Sequence, residues 1–426
     1  MSASSSGRRN DAGSDEVEEE TPDAKIERLA AEIEELKASL IGVPELSAEW
    51  LRIKTDIKDR DTERLLLIEK KRCDGVVKEY FEKNPHVLEA VPECPVCLEK
   101  MWYGTASKKY VCCGKLLCRK CASKGGDVFN TCPLCRAKVP GFNESMSIAK
   151  EKADLGITWA QADMGKFYLY GFEGVPKDVE KAVLLLNEAA EKGHARAKEL
   201  LGSYYKNIGK YEEARQCYEA AAAEGDIFAH FQLGVMMTHG QAFDENEQTR
   251  AEAFRLLTIS TGLIDDFYFS PAVELSVFFP RSNPVRSHYL QLAIMGDEST
   301  RTMMVADEYA ASLVKLSIQY LGKNTLFIPG YSPVPEALFW YRISGSDGGP
   351  RTQKRFAQFE QEIREKCAHC RADLPEGNRS CCVECKAAYY CSRVCQKAHW
   401  KAGHKKDCVK KLRKRLKAEG KLGEEK

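Results

Sequence analysis

AQADMGKFYLYGFEGVPKDVEKAVLLLNEAAEKGHARA, residues Ala160 to Ala197, is the stretch from which the architecture follows. It closes on a small-residue pattern, Ala-x-x-Gly-x-x-x-Ala, at Ala190/Gly193/Ala197. The same pattern precedes it at Ala153/Gly156/Ala160 and follows it at Ala222/Gly225/Ala229. Degenerate copies stand around Gly262 and at Ala293/Gly296/Thr300. The glycines step by 37, 32, 37 and 34 residues, a period that belongs to stacked helix-turn-helix units. Small residues at fixed positions let paired helices approach closely, and glycine closes the turn between them.

The segment resembles the Sel-one-like branch of the tetratricopeptide superfamily. Gly165, Tyr168, Gly171, Gly174, Val175, Asp178, Lys181, Ala182, Ala189, Ala190 and Gly193 sit as in that family's consensus. Later copies are eroded, although EALFWYRIS at Glu336 to Ser344 looks like one more second helix. The resemblance covers roughly Ile148 to Gly348. It implies a curved α-solenoid that binds protein clients on its concave face.

Outward from the repeats, 16 of the 18 cysteines fall into two clusters, Cys94 to Cys135 and Cys367 to Cys408. A Cys-x-x-Cys turn places two thiolates about 3.5 Å apart, which suits two corners of a zinc tetrahedron. The C-terminal cluster runs Cys367-x2-Cys370-x11-Cys382-x2-Cys385-x5-Cys391-x3-Cys395-x8-His404-x3-Cys408. With Tyr390-Cys391-Ser392, Cys395-Gln396, Trp400 and His404-Lys405, it resembles the MYND finger over its whole length. That resemblance implies one zinc on Cys367, Cys370, Cys391 and Cys395, and another on Cys382, Cys385, His404 and Cys408. So short a module folds on its metal, because roughly 10–16 kcal/mol of binding per structural zinc becomes folding energy. MYND fingers bind proline-rich peptides. The positions matching their groove are Gln396, a hydrogen-bonding side chain, and Trp400, a flat face for proline rings.

The N-terminal cluster runs Cys94-x2-Cys97-x14-Cys112-Cys113-x4-Cys118-x2-Cys121-x10-Cys132-x2-Cys135. It resembles an all-cysteine RING finger with two interleaved sites: Cys94, Cys97, Cys118 and Cys121 in the first, and Cys112, Cys113, Cys132 and Cys135 in the second. Cys112 and Cys113 depart from the family pattern by being adjacent, and Lys115 stands where some RINGs place a histidine. Either the adjacent pair spans one ion or one of them is spare; the Cys113-x4-Cys118 spacing favours the first. RING fingers commonly serve as ubiquitin ligases by holding a charged ubiquitin-conjugating enzyme in a reactive pose. By resemblance the docking residues are Val96, Pro133, Leu134 and Arg136. Zn2+ is thus the expected cofactor, four ions in all, two per module.

Ahead of the first module, Ile26, Leu29, Ile33, Leu36 and Leu40 follow an a/d rhythm that Leu46, Trp50, Ile53 and Ile57 resume beyond Gly42 and Pro44. A helical hairpin and a short dimerising coiled coil both fit. The expected order is a disordered acidic tail (1–24), the hairpin or coiled coil (25–84), the RING-type module (90–140), helical repeats (148–348), a helical linker (349–366), the MYND-type module (367–408) and a basic tail (409–426). The fold class is mainly α: a helical-repeat solenoid flanked by two small cross-braced zinc modules, with an N-terminal helical segment.

Across the 426 residues, Lys plus Arg is 64 against 63 for Asp plus Glu, a net charge of +1 that argues against nucleic acid as a partner. The basic run Lys410 to Lys417 reads either as a nuclear import or phosphate-binding patch or as a solvated helix end. No apolar run reaches the ~18 residues of a membrane span, and no secretory signal opens the chain. An intracellular location, cytoplasmic or nuclear, keeps the thiols reduced for zinc. Cys73, Cys217 and Cys381 fall outside the ligand sets, as do His86, His194, His230, His239, His288, His369 and His399. With no catalytic triad, phosphate loop or dinucleotide fingerprint, two functions remain. The chain is either a RING-type ubiquitin ligase or a non-enzymatic scaffold with purely structural zinc.

Overall fold

In the computed structural model the described residues are 20–90, 93–101, 106–124, 131–172, 174–263, 271–295, 303–321, 332–345, 360–361, 363–370, 372–374 and 380–418. Most of the acidic tail lies outside them, as do Gly296 and Thr300, residues 349–359 of the linker and the end of the basic tail from residue 419. The chain divides into two compact bodies between Ile68 and Glu69.

In the first body α1 (Pro22–Ser39) pairs antiparallel with the opening turns of α2 (Ala48–Lys83). Thr21 caps α1, its hydroxyl accepting from the Ala24 amide at 3.3 Å. Leu29, Ile33, Leu51, Ile53 and Ile57 are buried. Lys25–Glu63 at 2.7 Å and Arg60–Glu32 at 2.7 Å cross between the helices and set their antiparallel register. Leu46 departs from the heptad expectation. It is a turn residue at φ +62, 39% exposed, while Leu51, outside the a/d pattern, is buried.

The second body is built on helix pairs. After α3 (Pro85–Ala90), the short α4 (Arg119–Lys124) and α5 (Phe142–Asp154), the pairs are α6 (Thr158–Tyr170) with α7 (Val179–Glu191), α8 (Ala195–Asn207) with α9 (Tyr211–Ala223), and α10 (Ile227–Thr238) with α11 (Glu247–Leu263). They continue as α12 (Pro271–Ser276) with α13 (Pro284–Met295) and α14 (Met303–Leu321) with α15 (Val334–Gly345). Each of the first three pairs closes on a glycine. A methyl group on Gly165 would stand 2.6 Å from Leu186, on Gly202 2.8 Å from the Tyr218 ring, and on Gly234 2.8 Å from Leu257. These glycines repeat at the same 37- and 32-residue steps as the turn glycines, so the period records helix contact as well as turn geometry. Asp178, His194 and Asp226 cap α7, α8 and α10 through their side chains.

From Glu69 onward α2 lies against this solenoid. Tyr80 and Val87 bury beside Ile227 and Ile259, the Arg72 guanidinium sits 4.0 Å over the Phe254 ring, and Tyr289 donates to Glu69 at 2.5 Å. The first zinc module carries a two-stranded antiparallel ribbon, β1 (Ala106–Lys109) and β2 (Leu116–Cys118). It docks on α6 through Lys109, whose ammonium is 2.7 Å from Asp163 and 5.4 Å over the Trp159 ring. The second module has the ribbon β3 (Ser380–Cys381) and β4 (Tyr389–Tyr390), then α16 (Arg393–His399) and α17 (Lys410–Ala418). It shares one hydrophobic core with the end of the solenoid: Ala337, Leu338 and Trp340 of α15 pack in the same cluster as Leu374, Tyr390 and Leu416.

Candidate metal centres

Four groups of ligand atoms assemble, each with all members within 4.8 Å of one another: Cys94/Cys97/Cys118/Cys121, Cys112/Cys113/Cys132/Cys135, Cys367/Cys370/Cys391/Cys395 and Cys382/Cys385/His404/Cys408. A zinc–sulfur bond of about 2.3 Å sets the edge of a thiolate tetrahedron at about 3.8 Å. Cys97 and Cys118 sulfurs are 3.7 Å apart, Cys113 and Cys132 3.7 Å, Cys370 and Cys391 3.6 Å, and His404 Nε2 lies 3.5 Å from the Cys385 sulfur. The four groups suit four zinc ions.

The thiols also need a cation. Burial, then the neighbouring Cys135 and Cys132 thiols, push Cys112 up to about 12. Hydrogen bonding with Cys118, then burial, does the same to Cys121, and the Cys395 and Cys370 thiols do so to Cys391. Four sulfurs this close shed their protons together only when a divalent ion offsets the charge.

The turns that present the ligands share one backbone design. In the first, Cys94 N–H donates to Glu99 O at 2.9 Å and Leu98 N–H to Cys94 O at 2.8 Å, with Leu98 at φ +61. The same pattern recurs at Cys132 with Arg136 (φ +60) and at Cys382 with Lys386 (φ +50). Amides are thereby turned toward the sulfurs, as where the Ala387 amide meets Cys385 Sγ at 3.4 Å.

The adjacent cysteines follow the same design with one exchange. Tyr110 N–H donates to Lys115 O at 2.9 Å and Gly114 N–H to Tyr110 O at 2.7 Å, with Gly114 at φ +72. Tyr110, 2% exposed, thus occupies the place of the first cysteine. Cys113 holds the second place, and Cys112 reaches the group from inside the turn. The Cys112 sulfur lies 3.3 Å from that of Cys135. Lys115 contributes a backbone carbonyl to the turn, and its exposed side chain is no ligand.

The docking residues inferred from resemblance lie on these turns. Val96 is 52% and Leu134 37% exposed; Arg136 is exposed and Pro133 half-buried. In the second module Gln396 and Trp400 are both half-buried, and the Trp400 ring meets His404 edge-on at 5.8 Å. Cys73, Cys217 and Cys381 stay outside the four groups and are partly buried.

One supporting residue escaped sequence reasoning. His399 stacks on the ligand ring of His404 at 4.7 Å and 25°, and its Nδ1 lies 3.0 Å from the Tyr390 hydroxyl. The two histidines are five apart, a spacing with no meaning on an α-helix. A kink in the chain at Gly403 (φ +139), between the two rings, brings them together.

Comparison with known proteins identifies two parts of the chain. Residues 160–194 and 199–226 match the Sel1 repeat, and residues 367–408 match the MYND finger. Among solved structures the chain is similar to a Sel1 repeat protein from Oxalobacter formigenes, at 23% identity and a TM-score of 0.37, over 52% of this chain and 86% of that one. It is also similar to c5321, a protective antigen of uropathogenic Escherichia coli displaying an SLR fold, at 14% identity and a TM-score of 0.40, over 95% and 89% of the two chains. The chain carries Sel1 repeats and a MYND finger, preceded by a pair of all-cysteine metal groups.

Proposed function

We propose that this zinc-binding interaction protein is a RING-type ubiquitin ligase. One observation carries the reading: the two N-terminal metal groups interleave along the chain, and their first and last turns expose Val96, Leu134 and Arg136. In this reading the apolar pair docks a ubiquitin-conjugating enzyme, and Arg136 bridges it to the ubiquitin on its thioester. A client lysine then attacks the thioester carbonyl and the conjugating enzyme's thiolate leaves. The module supplies no nucleophile; it supplies position. The repeats recruit the client, and the MYND finger takes a proline-rich segment at Gln396 and Trp400.

Zinc thiolates call for a reducing compartment, and in this reading the protein works in the cytoplasm or nucleus. No helix among the described residues is long and apolar enough to cross a membrane.

The test is ubiquitin transfer by the purified zinc-loaded chain with a panel of conjugating enzymes. Chain formation lost in both Cys94→Ala and Arg136→Ala supports the ligase. Absence of transfer across the panel, with zinc content verified, leaves the scaffold reading, whose own measurement is proline-peptide binding by wild type against Trp400→Ala.

A further inference from the structure

Helices α6, α8, α9 and α10 of the first three pairs line an open pocket of about 310 Å³. Three cations reach it: Lys166, Arg196 and Lys206. Lys166 makes no hydrogen bond or ion pair among the described residues, and Lys206 donates to Gln232 at 2.9 Å. Lys166 is exposed and Lys206 half-buried, and the protein around them desolvates both ammonium groups enough to lower their pKa.

The facing acids offset this charge only in part. Glu199, 1% exposed, lines the pocket 2.9 Å from Arg196 Nη1, and its other oxygen accepts from Ser203. Burial raises its pKa to about 7, so near neutrality much of it is uncharged. Asp226, also raised by burial, caps α10 and faces Arg196, and Glu274 faces Lys206. Glu199 Oε2, the oxygen facing Arg196, is itself buried. Tyr170, 53% exposed, and Phe228 form apolar walls beside the cations.

We propose that this pocket binds an extended acidic peptide segment of a partner protein, with its carboxylates on Lys166, Arg196 and Lys206 and its intervening apolar side chains against Tyr170 and Phe228. The charge is complementary, and the cations are spread along α8 from Arg196 to Lys206, about 15 Å at 1.5 Å per residue. That span matches alternate side chains of an extended chain better than a single small anion. The inference rests on the client-recruiting reading of the repeats and gives the client's chemistry.

The experiment reads binding directly, with no conjugating enzyme present, so its failure and the failure of the ligase reading are separate results. A fluorescein-labelled pool of C-terminally amidated octapeptides with Glu at alternate positions is titrated with the zinc-loaded full chain. A matched pool carries Gln instead. The Glu pool should bind, weaken with added salt, and exceed the Gln pool by about tenfold, the worth of about 1.4 kcal/mol. Lys166→Glu and Lys206→Glu together should abolish the difference. Lys210→Glu, outside the pocket, should leave it intact, with circular dichroism checking that each variant folds. No binding of the Glu pool, equal binding of the two pools, or an equal loss in Lys210→Glu would overturn the proposal.

Discussion

Arg342, on the last repeat helix, donates through Nη1 to the backbone carbonyl of the metal ligand Cys385 at 2.7 Å and through Nη2 to that of Lys386 at 2.6 Å. Lys386 sits at φ +50, the conformation that closes the ligand turn. One side chain of the solenoid therefore holds the turn that presents a zinc ligand.

Removing that hold should loosen the metal. Arg342→Ala deletes these two charge-assisted hydrogen bonds and a third, from Nη2 to Glu360 at 3.1 Å, and is expected to cost about 2–3 kcal/mol. It should speed zinc loss from the C-terminal module to a chelator while leaving the N-terminal module's zinc unchanged. Chelator competition with separate spectroscopic readout of the two modules checks this.

A substitution at Gly114 should undo the docking of the first module. An alanine there carries about 1–2 kcal/mol of left-handed backbone strain, and its methyl would stand 2.6 Å from the Trp159 indole nitrogen. Hydrogen exchange should rise in β1, β2 and α6 together. Adding Trp159→Ala should relieve the contact but not the strain, so the double variant should recover only part of the protection.

Glu199 makes the solenoid sensitive to pH. Its carboxyl holds a proton to about pH 7 in the fold, by burial, against about 4.3 in the unfolded chain. The folded state thus binds the extra proton. The stability this group contributes is full below the unfolded value and is lost as pH rises through about 7, on the order of 1–3 kcal/mol. Glu199→Gln stays neutral throughout, so the variant should show a flatter pH dependence of denaturant unfolding and be at least as stable as wild type near pH 8.

His399→Ala should weaken a metal site without touching a ligand. It removes the ring stacked on His404 and the partner of the Tyr390 hydroxyl. Groups that orient a ligand imidazole are worth about 10–100-fold in metal affinity. Zinc titration of the full chain should show one of its four sites weakened, and His399→Phe, which keeps the stack, should recover part of it.

Much of the molecule was legible because its signals are local or periodic. The Gly193 and Gly225 repeats announce helix pairs, since each pair needs the same close approach at the same spacing. The Cys-x-x-Cys turns announce metal, since two sulfurs at that separation are brought together by the turn itself. The adjacent Cys112 and Cys113 were ambiguous from spacing, and Tyr110 explains why: a non-ligand holds a turn position that spacing rules reserve for cysteine. Leu46 misled in the other direction, because an apolar residue in phase with a heptad can still fall in the turn before the helix begins.

Helix pairing and ligand turns were set by the sequence alone, because both depend on contacts within a few tens of residues. The tertiary structure decided the rest: the seating of the first module on Asp163 and Trp159, the fusion of the second module with the core of α15, the His399–His404 stack, and the gathering of Lys166, Arg196 and Lys206 around a buried Glu199. These pairings join residues on different helices or across a kink, where no fixed spacing relates them. Packing chose them, and packing is visible only once the chain is folded.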